Sequence, residues 1–263
     1  MQRHLFMCLV SALCVLLTGD RAYGSETAEA PNTDAPVSFA ADRPGYGDAT
    51  TTVPPFRLAL EAGATLLTSD GGLALEIPQL LLRYGLTGWL ELRVQVPGLN
   101  LPIDRDGVPA GTDGGVGFKV AVAMHQRVGL SWVSTFGVPV ADLARGEQAF
   151  LWSSSLNLGI TLSDSFGMNA TATAGLRQPF DVPDAALLWE LGGALGVSGT
   201  FDTTGLYLEG IGVTDQDGAV RLALGLGLTQ MLTPTLQLDL SFDYDLPEYG
   251  SAIRVGVGVA TLF

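Results

Sequence analysis

The stretch SAIRVGVGVATLF, residues 251–263, decides the reading of the fold. Ile253, Val255, Val257 and Val259 alternate with small or polar residues, and the sequence then stops on an aromatic, Phe263. Period two marks a strand with one apolar face. A terminal strand of this kind with a free edge would invite pairing with other chains. The conflict disappears if the last strand pairs with an earlier one and the sheet closes on itself.

The same alternation recurs along the chain. In FRLALEAGATL (56–66) the even positions are apolar, while Arg57 and Glu61 take the other face. In WLELRVQV (89–96), Leu90, Leu92, Val94 and Val96 oppose Glu91, Arg93 and Gln95. VGFKVAVAM (116–124) alternates from Val116 through Phe118, Val120 and Val122 to Met124. Further runs begin near 128, 150, 166, 187, 205, 219, 236 and 251. One run slips: LALEIPQLLLRY changes register at Pro78-Gln79, which predicts a β-bulge, since proline within a sheet sits at bulges or edges. With that bulge, Glu76, Gln79 and Arg83 share the polar face.

The pattern predicts an all-β protein, an antiparallel transmembrane β-barrel of twelve strands. Short connections (85–88, 125–127, 163–165, 202–205, 233–235) alternate with longer ones (98–113, 139–148, 178–184, 214–218, 245–250). Short turns at one end and longer loops at the other fit a barrel of the bacterial outer membrane. The composition agrees. Mean hydropathy is +0.33, yet beyond the first residues no apolar run is long enough for a spanning helix. Apolar residues dealt out singly suit strands with one face in lipid. Aromatics gather at strand ends: Tyr84, Trp89, Phe166, Phe201 and Phe263 on the short-turn side, and Phe136, Phe150, Trp152, Phe180 and Tyr244 on the other. Such girdles belong at lipid–water boundaries.

Three segments are expected. Residues 1–24, with Arg3, an apolar run and Ala22-Tyr23-Gly24, read as a cleaved secretory signal peptide. Residues 25–55, rich in Pro, Ala, Thr and acids, read as a flexible lead-in or plug segment. Residues 56–263 form the barrel. Both cysteines, Cys8 and Cys14, fall in the signal, so the mature chain has no disulfide and no thiolate metal site. Loss of residues 1–24 removes Arg3, Asp20 and Arg21 and takes the formal net charge from −14 to −15. So acidic a chain excludes nucleic acid as a partner.

Candidate functional residues lie on the polar face. Arg57, Glu61, Glu76, Arg83, Glu91, Arg93, Lys119, Glu190, Glu209, Arg221, Asp239, Asp243 and Arg254 all oppose the aliphatics. A basic residue at the lipid midplane costs about 2–4 kcal/mol, so these side chains are assigned to the lumen. They can select solutes, or pair to fill a narrow barrel. Twelve strands lie between the packed eight-stranded barrel and the open sixteen-stranded porin, which predicts a narrow or plugged channel. Catalysis is not expected. The mature chain has one histidine, His125, at a short turn, and no GxSxG. The acidic stretches DRDG (104–107) and TDQDG (214–218) read as turns, since they lack a full calcium-ligand ladder. No metal or cofactor is expected.

ADRPGYGDATTTVPPFRLALEAG (41–63), with Asp42-Arg43-Pro44, Thr52-Val53-Pro54 and Glu61, resembles the opening signature of the bacterial outer-membrane barrels grouped as the MetA-pathway phenol-degradation, transporter-like family. IPQLLLRYGLTGWLELR (77–93) is similar to that family's second and third strands. Gly45 and Gly88 depart from its usual residues. The resemblance implies an outer-membrane barrel of transporter type without naming a substrate. The expectation is a monomer in outer-membrane lipid that passively conducts small solutes, apolar or aromatic ones among them. A sealed structural or ligand-binding barrel is the alternative. Phe263 is the expected signal to the barrel-assembly machinery, and Asp42-Arg43-Pro44 is expected near the barrel mouth or inside it.

Overall fold

The computed structural model describes residues 39–69, 72–104, 109–138, 149–179, 186–246 and 252–263. The expected signal peptide, the first part of the lead-in, Phe180, most of the DRDG stretch, the connection 139–148 and parts of 178–184 and 245–250 lie outside these residues.

Every described element is a strand, and all belong to one antiparallel sheet. They are β1 (Leu58–Ser69), β2 (Gly72–Gly85), β3 (Leu90–Val96), β4 (Leu99–Pro102), β5 (Ala110–Gly111), β6 (Gly114–His125), β7 (Val128–Val138), β8 (Ala149–Thr161), β9 (Phe166–Pro179), β10 (Leu188–Phe201), β11 (Thr204–Asp215), β12 (Val220–Thr233), β13 (Leu236–Asp245) and β14 (Ala252–Leu262). β1 pairs with β2 on one side and with β14 on the other, from Ala59 opposite Leu262 to Ser69 opposite Ala252. The sheet is therefore a closed barrel without a free edge. Twelve strands form its wall, with β4 and β5 as additions at one end.

Of three register shifts in the sheet, one leaves Leu232 of β12 extra beside the short turn, and two bear on the sequence reading. On β2, Gln79 faces Gly63 and Glu76 faces Thr65, so Ile77 and Pro78 share one opposing residue, Ala64. This is the slip expected at Pro78, and it brings Glu76, Gln79 and Arg83 to one face. The second bulge corrects the sequence reading. Ala121 faces Ser131 and Ala123 faces Leu130, which leaves Val122 extra. Met124 then pairs with Gly129 and does not continue the outer row of Val116, Phe118 and Val120. The connection 98–113, read as a loop, is corrected too. After Pro97-Gly98, β4 resumes the path of β3 along β2 in the same register, and β5 pairs back on it.

The two faces sort by chemistry. Outward residues are aliphatic and exposed, as at Leu195 and Leu224. The largest fully buried side chains are instead polar or charged and point inward: Arg83, Lys119, Glu61 and Glu91 among them. This inversion of the usual soluble-protein order fits an apolar solvent outside the wall. Aromatics ring the strand ends. Phe166 meets Phe201 edge-on at 5.8 Å, and Phe136 lies 6.4 Å from Phe150. Two outer-face hydroxyls are covered: Trp132 donates its indole N–H to Ser154 (2.7 Å) and Trp152 to Ser134 (2.9 Å). His125 stands exposed at the β6–β7 turn. At 214–218 the Asp215 carboxylate accepts the Asp217 and Ala219 N–H groups, and Gly218 has φ +75°, so this stretch is a turn.

Candidate functional site

The lumen is occupied by residues 39–55, which enter from the short-turn end and return to it before β1. An apolar cluster of Phe39, Val53, Ala59 and Leu262 holds the two ends of this segment near the mouth. Between them the segment bonds to nearly every side of the wall. Glu61 of β1 accepts the Asp42 and Arg43 N–H groups (3.0 and 3.2 Å). Glu91 of β3 accepts the Val53 N–H at 2.7 Å. Asn157 of β8 accepts the Asp48 N–H at 3.1 Å, and Glu209 of β11 accepts the Tyr46 N–H at 2.9 Å. Tyr46 Oη lies 3.1 Å from Thr173 Oγ1 of β9.

Its acidic anchor is Asp42, which faces β2, β3 and β6. Lys119 Nζ donates to Oδ1 at 2.6 Å, Arg93 Nη1 donates to Oδ2, and Arg83 Nε lies 3.4 Å away. Arg83 also donates to Glu61 (2.7 Å) and in bidentate fashion to Glu91 (2.9 and 3.0 Å). Three buried cations thus meet three buried carboxylates: Glu61 and Glu91 from the wall, Asp42 from the inserted segment. Uncompensated buried charge costs several kcal/mol per ion, and without Asp42 this wall would carry one surplus positive charge. Burial alone would push the Asp42 carboxyl up, but Arg83, Lys119 and Arg93 outweigh it and hold Asp42 well below the usual carboxylate range. Asp48 is shifted the opposite way. Burial, then the Asp42 charge, raises it, although Arg93 Nη2 donates to it at 2.9 Å.

The basic anchor is Arg43, which turns the other way, toward β1, β2, β13 and β14. Its guanidinium donates to Gln79 Oε1 at 2.9 Å, and more loosely to Asp239 Oδ1 (3.5 Å) and the Val257 carbonyl (3.4 Å). It lies against Gly63 and Gly258, which face one another across β1 and β14. A Cβ on either glycine would collide with the guanidinium.

Of the residues singled out from sequence, Glu61, Arg83, Glu91, Arg93 and Lys119 converge on Asp42. Asp239 stands by Arg43, and Glu209 holds Tyr46. Arg254 makes a bidentate pair with Asp245 (2.7 and 3.1 Å), with Arg221 at 3.9 Å from the same carboxylate. Asp243 is on the inner face opposite Arg254 and Gly225. Glu76 and Glu190 line cavities nearer the long-loop end. Pro44 lines the cavity at the short-turn end. Arg57 is the exception: it precedes β1, is exposed, and takes no place in the lumen. Sequence reasoning missed Tyr46, Asp48, Asn157 and Asp245, and it put Gln79 and Gln95 on the polar face without counting them among the candidates. Asn157 was legible by parity in SSSLNLG, whereas Asp245 was assigned to a loop.

Cavities lie on both sides of the inserted segment. One of about 320 Å3 is lined by Asp42, Arg43, Asp48, Glu76, Gln79 and Gln95. It adjoins another of about 420 Å3 through shared Gln95 and Thr135. Toward the short-turn end, a cavity of about 460 Å3 is again lined by Asp42, Arg43 and Asp48, with Tyr207, Glu209 and Gln237.

Among solved structures, the chain is similar to the NanC porin, with TM-score 0.59, 11% identity, and coverage of 77% of this chain and 98% of that one. It is also similar to the KdgM porin in complex with disordered oligogalacturonate, with TM-score 0.53, 8% identity, and coverage of 77% and 98%. These likenesses show the fold. No match was found among curated proteins. The closed barrel with its apolar outer face places the chain in the bacterial outer membrane. The family model described as "Putative MetA-pathway of phenol degradation" matches residues 41–263, and the chain belongs to that family.

Proposed function

We propose that this barrel conducts small solutes passively across the outer membrane through a narrow, charged lumen. The observation that carries the reading is the stack of cavities of about 320 and 460 Å3, both bounded by the same three residues of one inserted segment, Asp42, Arg43 and Asp48. Among the described residues, a single stretch of chain stands between the two sides. The neighbouring cavity of about 420 Å3 has inward apolar residues, Leu151 and Leu188, beside polar ones, Gln95, Ser153 and Glu190. That pairing supports small solutes with an aromatic or apolar part. In this reading the unit acts as a monomer, each chain closing its own barrel. It is a conduit and not an enzyme, a reading supported by the exposed His125. Residues 1–24 direct export, and Phe263, exposed at the periplasmic end, engages the assembly machinery.

A sealed barrel is the second reading, favoured by the balanced buried cluster around Asp42, which resembles a structural filling. Planar-bilayer recording of the purified full chain separates the two. Discrete openings, together with liposome swelling in small aromatic alcohols, are expected of the conduit. Silence at every voltage and no swelling would establish the sealed form.

A further inference from the structure

The inserted segment is held unequally. Asp42 is buried among three strong cationic partners, whereas Arg43, its neighbour, has one short contact and two near the limit of hydrogen bonding. Among the described residues, Arg43 Nε has no hydrogen-bond partner, and neither does Asp239 Oδ2, although the Asp239 side chain is wholly buried. An ionised carboxylate oxygen buried without a donor loses its hydration without compensation. The recess around it suits a flat cation. Gly63 and Gly258 leave a slot with no side chains on its walls, Gln79 Oε1 and the Val257 carbonyl supply acceptors, and Asp239 supplies charge.

We infer that this recess is a binding site for a small organic cation of guanidinium or ammonium type, and that Arg43 is a tethered occupant which such a cation displaces. The recess lies between the two cavities, because Arg43 lines both. Carboxylates flank it on each side, Glu76 above and Glu209 below. A cation entering from either cavity therefore meets negative charge before it reaches Asp239, whereas an anion meets repulsion. Displacement of Arg43 leaves Asp42 in its cluster, so the segment shifts on one side of the lumen only. As a route for solutes the site rests on the conduit reading; as a binding site it does not.

The test uses the full chain folded in detergent, with methylguanidinium chloride as probe and potassium chloride at equal ionic strength as control. Arg43→Ala empties the recess, and the probe is expected to raise the melting temperature of this variant by about 5 °C or more at a hundredfold excess over Kd. Arg43→Ala combined with Asp239→Asn is expected to lose that response. The unaltered chain is expected to need far more probe, since its own arginine competes. Equal responses of the single and double variants, or none in the single variant, would overturn the site. If Arg43→Ala does not refold, Arg43→Gln is titrated instead. Refolding of Arg43→Ala only when methylguanidinium is present supports the site, and failure of both variants with the probe present overturns it. Melting needs no conduction, so a chain that binds the probe but stays silent in bilayers would sink the conduit reading and leave the site standing.

Discussion

Asp42 is one carboxylate serving three cations, and the wall around it is neutral only while it is there. Asp42→Asn keeps the shape and removes the charge, leaving Arg83 with Glu61 and Glu91 and Arg93 with Glu91 and Asp48, but Lys119 with no carboxylate nearer than Glu91 at 4.0 Å beside the Thr51 carbonyl at 3.5 Å. Breaking a buried pair from one side costs about 3–5 kcal/mol. Asp42→Asn is therefore expected to lose that much in urea unfolding from liposomes. Asp48→Asn, on a carboxylate with a fifth of its side chain exposed, should cost about 1 kcal/mol or less. Equal losses would mean that Asp42 does not organise the cluster. The two carboxyls also set the response to acid. Asp42 is held below its unfolded value, so its contribution is complete above the ordinary carboxylate range and is lost only as pH falls through the depressed value. Asp48 is raised, so from neutral pH downward the folded state takes up its proton first, which favours the folded state and relieves repulsion with Asp42. Mild acid should leave the segment seated. Protease resistance of residues 39–55 is expected to be the same at pH 5 as at pH 7.5, and cleavage appearing at pH 5 would refute this.

At the scale of strands, the outer row of β12 is the plainest lipid face. Val220, Leu222, Leu224, Leu226 and Leu228 alternate with inward Arg221, Ala223, Gly225 and Gly227. Leu226 lies at the middle of the strand, between Leu208 and Phe242. Leu226→Arg is expected to destabilise the barrel by about 2–4 kcal/mol in liposome refolding, as a charge at the midplane does. Nitroxide labels at Val94, Val120 and Leu224 should report acyl chains, while one at Gln95 should report water; water at the first three positions would invert the register of the whole sheet. These elements were legible because each strand carries its own period-two record. The bulge at Pro78 was legible too, since proline marks the slip. The bulge at Val122 was not. Ala121, Val122, Ala123 and Met124 are small or apolar, so either register looks sound, and only the pairing with Ser131 and Leu130 decides. The resumption of β3 as β4 was hidden for a related reason: Pro97-Gly98 reads as the end of a strand, while β2 runs on beside it.

For the whole molecule, the feature that no local reading could supply is the separation of charge across the lumen. Arg83, Arg93 and Lys119 come from β2, β3 and β6, and Glu209, Asp239 and Asp243 from β11 and β13. Which strands face each other follows from closure, and closure joins residues as far apart in sequence as Arg43 and Val257. The sequence thus placed the charges in the lumen, but their partners waited on the ring. Asp42 and Arg43, adjacent and opposite in charge, each answer one wall. This predicts two different pores from two changes. Deletion of residues 39–50 takes Asp42, Arg43 and Asp48 from the lumen, leaving the basic wall with a surplus cation and the acidic wall without Arg43. Strand pairing begins only at Leu58, so the ring should still close, conductance should rise several-fold, and anions and cations should each find a favourable wall. Arg43→Ala keeps Asp42 seated and the basic wall neutral, so its gain in conductance should be smaller and should favour potassium over chloride. Reversal potentials in a potassium chloride gradient measure both. The preference should shrink as salt rises and screens the exposed carboxylates. A deletion as strongly cation-selective as Arg43→Ala would show that the basic wall takes no part in conduction and that only the side lined by Asp239 carries ions.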